Sequence, residues 1–306
     1  MKSAHVDCGR QSSRFSLPAW TMLAAFLCLA LFGNGAAAQG VAAKKGAAPK
    51  LETMDPKTFE RPTVIDNKWL PMKPGTRWIL EGTTVEDDGK VVPHRVEISI
   101  THLTKVIGGV RNVVSYDLDY VENELVETRL AFYAQDNDGT VWHFGRHVEE
   151  FEDGKLTKST TWIHGAEGAQ AGIAMKAKPQ SGTPSYAMGW GPAVDWADRR
   201  QTLRSGQKTA VHAGKYDDVV VIKETPKEET TDPFLLKYYA GGVGYVRLGS
   251  GGKKAHAKEV LELIKVEQLG AKEMAAIREK AMNLEKSAYK VSKAAYGRSA
   301  PMELAK

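Results

Sequence analysis

From Thr76 onward, apolar and polar positions fall into short runs with a period of two. Val96-Glu97-Ile98-Ser99-Ile100 alternates strictly, the mark of a strand with one face buried. Thr76–Gly82 is dense in aromatic and β-branched residues, and Val110–Tyr120 continues the pattern after Gly108-Gly109. Asp138-Gly139 separates Leu130–Ala134 from Val141–Phe144, and Asp87-Asp88-Gly89-Lys90 and Asp153-Gly154 are further hairpin turns. Asp-Gly tolerates the positive φ angles that such turns need. Val219–Lys223, Tyr245–Leu248 and Val260–Val266 extend the series to its last strand. Turn signals about every ten residues predict a mainly β protein built as an antiparallel meander.

The meander repeats itself. Leu130-Ala131-Phe132-Tyr133-Ala134 matches Leu236-Lys237-Tyr238-Tyr239-Ala240 at a shift of 106 residues. Pro74-Gly75-Thr76 resembles Ser181-Gly182-Thr183, and Gly109 before Val113-Val114 resembles Gly214 before Val219-Val220. Matches in one order predict two similar β-meander halves, residues 59–160 and 161–267, forming a curved sheet or half-barrel. After Gly270 the period changes. Met274, Ile277, Ala281, Leu284, Ala288, Val291 and Ala295 are spaced three and four apart, which predicts a C-terminal amphipathic helix of about 26 residues, about 39 Å long.

Before the β region, residues 1–38 carry the three parts of an export leader: a basic start, an uncharged run from Trp20 to Phe32, and Ala36-Ala37-Ala38 before Gln39. The uncharged run is shorter than the ~20 residues that a membrane-spanning helix needs. A cleaved signal peptide and a periplasmic or secreted protein follow. Residues 39–58, rich in Ala, Gly, Lys and Pro, read as a flexible tether. Both cysteines, Cys8 and Cys28, lie in the leader, so the mature chain has neither a disulfide framework nor a thiolate metal site. The formal charge is +5, and the leader sets Lys2, Arg10 and Arg14 against Asp7, so the mature chain keeps +3. That is too weak to point to nucleic acid. The excess sits in the basic segment 268–306, which holds eight Lys or Arg and four Glu.

Three stretches together carry a resemblance. Phe59-Glu60-Arg61-Pro62-Thr63-Val64-Ile65-Asp66-Asn67-Lys68-Trp69-Leu70-Pro71 opens the body. Tyr133-Ala134-Gln135-Asp136-Asn137-Asp138-Gly139-Thr140-Val141-Trp142-His143-Phe144-Gly145 follows, and Tyr238-Tyr239-Ala240-Gly241-Gly242-Val243-Gly244-Tyr245-Val246 closes it. This set resembles a family of secreted bacterial proteins of unassigned function with a similar opening, a YAQD-x-DG-x-VW-x-FG hairpin and a YYA-x-GVG-x-V strand. The resemblance spans roughly residues 59–250 and implies an architecture but no mechanism. Where that family carries an acidic residue after the Phe-Gly pair, this chain has Arg146. More loosely, the second half is similar to periplasmic lipoprotein carriers, whose curved sheet wraps an apolar groove.

Catalytic signatures are sparse. Asp136-Asn137-Asp138-Gly139 fails as a calcium loop, because Ala134 and Gly145 occupy the positions that need acids. There is no G-x-S-x-G elbow, and Gly241-Gly242-Val243-Gly244 lacks the lysine and helix of a phosphate loop. His143, His147 and Glu149 share one strand parity and are the metal candidates, but His143 and His147 would stand ~13 Å apart on a regular strand. Gly165–Met188 is the least regular stretch, flanked by Trp162, Trp190 and Trp196. Loops on rigid sheets carry function, so Trp162, Tyr186, Trp190 and Trp196 are the ligand-groove candidates. Asp195, Asp198, Arg199 and Arg200 read as surface ion pairs.

The leading functional reading is a non-catalytic exported protein that binds an apolar small molecule, a lipid or a cell-envelope partner, with no cofactor and no nucleic acid. The alternatives are a metal-assisted hydrolase using His143, His147 and Glu149, and an interaction protein acting through the C-terminal helix.

Overall fold

The computed structural model describes residues 50–86, 88–226, 232, 234–252 and 259–305. The expected leader, residues 39–49 of the expected tether and Asp87 of the first hairpin turn lie outside them. β1 (Thr76–Val85), β2 (Val91–Ile107), β3 (Val110–Val121), β4 (Glu124–Gln135) and β5 (Val141–Glu152) form an antiparallel meander. β6 (Lys155–Ile163) pairs with the later part of β5, and β7 (Gln170–Met175) with its first residues. After β8 (Tyr186–Ala187) and β9 (Gly189–Trp190) comes a second meander. It comprises β10 (Arg199–Val211), β11 (Gly214–Thr225), β12 (Phe234–Ala240), β13 (Gly244–Gly251) and β14 (Val260–Gln268). β14 pairs with β1, so both meanders belong to one antiparallel sheet. The expected boundary between residues 160 and 161 falls inside β6.

The sheet closes on itself. Its path begins at β8, which pairs with β10, and ends at β9, which pairs with β7. Only Met188 separates β8 from β9, so the two edges of the sheet meet along residues 186–190. Gly172 makes this seam possible: a Cβ there would lie 2.3 Å from Gly189 N and 2.5 Å from the Ala187 carbonyl. Across the seam the Arg200 guanidinium on β10 donates to the Ala174 carbonyl on β7. The result is a barrel closed by this seam, while β6, which among the described residues pairs only with β5, and β10 beyond Arg200 keep a free edge.

The barrel has an inner and an outer core. Inside, Trp78, Leu80, Val96, Ile100, Val141, Val220, Ile222 and Leu263 pack with Ile65, Trp69 and Met72, which precede β1. The 65–72 segment stoppers one end of the barrel. Asn67 bonds the Gly139 carbonyl and Gln135, Trp69 packs in the inner core, and Lys68 pairs with Asp218 at 2.5 Å. Outside, Leu103, Val114, Leu130, Phe132, Trp142 and Phe144 form a second apolar face. α1 (Ala271–Val291) covers it with Met274, Ile277, Ala281, Leu284 and Ala288 of the stripe read from the sequence, whereas Val291 of that stripe is exposed at the helix end. The helical stretch breaks at Ser292, which accepts from the Thr161 hydroxyl at 2.7 Å, and resumes as α2 (Lys293–Tyr296). β15 (Glu303–Leu304) then pairs with β2. Strands β2 to β5 are thus buried on both faces, which explains why their sequences hold runs such as Val113-Val114.

Residues 50–58 of the expected tether lie against the barrel. The Lys50 carbonyl accepts from Arg199, Glu52 accepts from the Ala187 N–H, and Met54 packs on the outer core. Among the described residues no helix is long and apolar enough to cross a membrane.

Candidate functional site

The inward positions change character along the barrel axis. On β3 they run Val113, Ser115, Asp117, Asp119, and on the facing β4 they run Tyr133, Ala131, Arg129, Glu127. On β11 Val220 and Ile222 lead to Glu224, and on β12 Tyr239 leads to Lys237. One end of the interior is therefore apolar and stoppered by residues 65–72, and the other is charged. The repeated motif places Ala131 and Tyr133 from one copy and Lys237 and Tyr239 from the other on this same inner surface.

Where the two regions meet lies a cavity of about 120 Å³. Leu70, Met72, Trp78, Leu248 and Leu261 form its apolar wall, and Tyr133, Tyr239, Tyr245 and Trp196 its aromatic one. The remaining wall carries Asp117, Arg129, His143, Arg146, Asp198, Arg200, Glu224 and Lys237.

Most of these charges are paired. The Arg129 Nε donates to Asp117 at 2.9 Å. Glu224 accepts from Arg200 and from Lys237, each at 2.7 Å. Burial opposes the Glu224 charge, but its two cations outweigh burial and hold the carboxyl down to about 2. Burial lowers Lys237 and raises Asp117. Asp198 is pushed up to about 6 by burial and by Glu224, and Glu127 to about 7 by burial.

Arg146 is different. Its guanidinium lies 4.9 Å from the Trp196 ring and makes no ion pair among the described residues, and its Nε is buried without a hydrogen-bond partner. His143 is 1% exposed, stacks on Tyr133 at 5.0 Å and meets Trp162 edge-on at 4.8 Å. The Met188 backbone approaches His143, but neither ring nitrogen makes a hydrogen bond of good geometry. Burial, then the Arg146 and Arg200 charges, keep this histidine neutral, well below the ordinary range.

The residues singled out from sequence are placed as follows. Trp162 and Trp196 stack at 4.7 Å and are buried together with Met188 beside the seam. Tyr186 is fully buried with Lys176 over its ring at 4.7 Å, and Trp190 is half-buried in β9. Trp196 reaches the cavity wall, and the other three pack around the seam behind it. The metal candidates are split. A bulge opposite Phe132 and Tyr133, with Gly145 at φ +146°, reverses the strand parity that the sequence suggests. A Cβ on Gly145 would lie 2.4 Å from the Trp162 carbonyl. His143 consequently lines the lumen, whereas His147 lies on the outer side against Thr161, Glu149 and Tyr296. Burial opposes the Glu149 charge, but bonds from His147 and Ser287 hold the carboxyl below its usual range. Among the described residues no group of three or more His, Cys, Asp or Glu is arranged to hold a metal ion.

One sequence reading is corrected here, and one hairpin turn is found as read. Arg199 and Arg200 are buried, not surface residues: Arg199 holds Ser185 and the Lys50 carbonyl, and Arg200 holds Glu224. Asp136 is a turn staple. Its carboxylate accepts from the Asp138 and Thr140 N–H groups and from the Trp142 indole.

No known protein-family model and no curated protein matches this chain. Among solved structures, a "putative lipoprotein" from Parabacteroides distasonis ATCC 8503 aligns with a TM-score of 0.39 at 10% identity, over 66% of this chain and 99% of that one. A "putative exported protein with YmcC-like fold" from Bacteroides fragilis NCTC 9343 aligns with a TM-score of 0.37 at 11% identity, with the same coverage. Likeness at this level carries no property over to this chain.

Proposed function

We propose that this chain is an exported, non-catalytic protein that holds a small molecule inside its barrel. The observation that carries the reading is the internal cavity, whose apolar and aromatic walls meet a few convergent polar groups, the usual composition of a binding site. Its volume narrows the occupant. About 120 Å³ is below the ~300–1,000 Å³ of pockets for drug-sized ligands and close to the ~150 Å³ engineered cavity that admits benzene. A molecule with a body the size of one aromatic ring fits that space, and a full lipid does not. Export rests on the leader read from residues 1–38.

The test is a thermal titration of the exported chain with benzyl alcohol, alongside the Ala131→Leu variant. Ala131 is 1% exposed and faces the cavity, so the larger side chain fills it. At ~10 times the Kd the ligand stabilises by about 1.4 kcal/mol, a rise in Tm of roughly 3–5 °C for a domain of this size. Ala131→Leu is expected to keep the β circular-dichroism spectrum and lose that rise. An undiminished rise in Ala131→Leu would place the ligand outside the lumen and sink the proposal.

A further inference from the structure

We infer that the molecule held in the barrel is an anion: a small monocarboxylate whose carboxylate faces Arg146 and whose ring-sized apolar body lies toward Met72, Trp78 and Leu261. This deepens the lumen-binding reading and rests on it.

The charges on the cavity wall do not cancel. Arg129, Arg146, Arg200 and Lys237 stand against Asp117, Asp198 and Glu224, an excess of one cation. Asp117 is committed to Arg129, and Glu224 is shared between Arg200 and Lys237. Arg146 alone among the three arginines has no carboxylate within ion-pair distance among the described residues, and it offers a buried Nε–H with no acceptor. Arg146 is half-buried, but its Nε–H is shut off from water with no acceptor, a costly arrangement that an anion in the cavity relieves. The planar fork of Arg matches a carboxylate through two parallel N–H···O bonds.

Trp196 fixes the guanidinium plane from one side. His143, 1% exposed and held neutral, keeps one N–H for a second oxygen of the ligand. The apolar wall takes the rest of the molecule. The bulge at Gly145 is what turns both His143 and Arg146 inward, so the pair exists because of one local break in β5.

The surroundings predict a pH dependence. Arg146 acts electrostatically on Glu127 of β4, on Asp198 just before β10 and on His143 of β5. Asp117, Arg129, Arg200, Glu224 and Lys237 complete the charged wall, and Glu150 acts on Glu127 from β5. As pH falls from 8 to 5.5, Asp198 and Glu127 take up protons, because burial has raised them to about 6 and about 7. The negative charge that competes with the ligand for Arg146 is then withdrawn, and carboxylate affinity rises.

Calorimetric titration of the full exported chain with benzoate and with benzyl alcohol, its uncharged counterpart, tests the inference. Benzoate is expected to bind about tenfold to hundredfold more tightly than benzyl alcohol at pH 6. Its affinity is expected to fall at pH 8 while that of benzyl alcohol stays level. Arg146→Gln is expected to abolish the preference for benzoate over benzyl alcohol. Equal affinities in the wild type overturn the anion inference and leave the lumen reading standing. Binding of neither probe overturns both. The wild-type comparison decides the question even if Arg146→Gln does not fold.

Discussion

Lys105 sits with 0% of its side chain exposed, yet it carries an ammonium group. Its Nζ donates to Glu285 of α1 at 2.7 Å and to the Ala300 carbonyl at 2.6 Å, and it lies 4.7 Å from the Tyr296 ring. Glu285 in turn accepts from the Met302 N–H. This pair fastens the C-terminal segment to β2. Removing one partner leaves the other charge buried and alone, so Glu285→Leu is expected to cost about 3–5 kcal/mol in urea denaturation. The double variant Lys105→Met, Glu285→Gln, which removes both charges and keeps an acceptor for Met302, is expected to lose less. A second buried cluster gives a pH signature. His94 lies 2.7 Å from Asp119 and 3.2 Å from Glu259. Burial opposes its charge, but the two carboxylates outweigh burial and raise it from 6.5 to about 10. The folded state therefore holds this proton more tightly than the unfolded chain does. Its stabilising contribution is complete below pH 6.5 and is lost as pH rises through 10. Urea midpoints measured from pH 6.5 to 10 are expected to fall more steeply in the wild type than in His94→Gln, and parallel slopes would refute this.

At the scale of elements, legibility followed periodicity. The strands and the α1 stripe stand out because β hairpins with Asp-Gly turns and helices with 3-4 spacing leave local patterns. Tyr133 and Tyr239, at matching positions of the two similar pentapeptides, face one lumen. What stayed hidden depends on non-local geometry. Nothing local in Val141–Glu152 announces the bulge that sends His143 inward and His147 outward, although Gly145 marks its position. Arg200 reads as a surface charge because its neutralising partner, Glu224, lies on the next strand, 24 residues away. Arg146 stood out only as a basic residue where an acidic one was expected. The seam was equally invisible, since β8 and β9 are two residues each. Gly172→Val tests it directly. With Gly189 N 2.3 Å from the first added carbon, the seam has to open. A lower Tm and a red-shifted emission from Trp162 and Trp196 are expected, and an unchanged Tm would contradict a closed seam. On α1, Leu284→Ala is expected to cost about 2–5 kcal/mol, because Leu284 is buried against the outer core.

For the whole molecule, strand number decides what the interior can be. Eleven long strands lie between the β8 and β9 ends of the sheet path. About eight strands already enclose a space that side chains fill, so a wider barrel needs extra filling or a guest. Here the 65–72 segment fills the apolar end, and arginine, lysine and tyrosine side chains crowd the charged end. The space left between them is the cavity. The helix that the sequence offered as a partner-binding surface spends its apolar stripe on the barrel's outer face. The most direct measurement is a crystal structure of residues 39–306 soaked with 4-bromobenzyl alcohol, with data collected at the bromine edge. The lumen-binding account predicts one strong anomalous peak inside the barrel, between Met72, Tyr133 and Tyr239. Bromine found only on the outer surface, with the lumen closed around its own side chains, would contradict it.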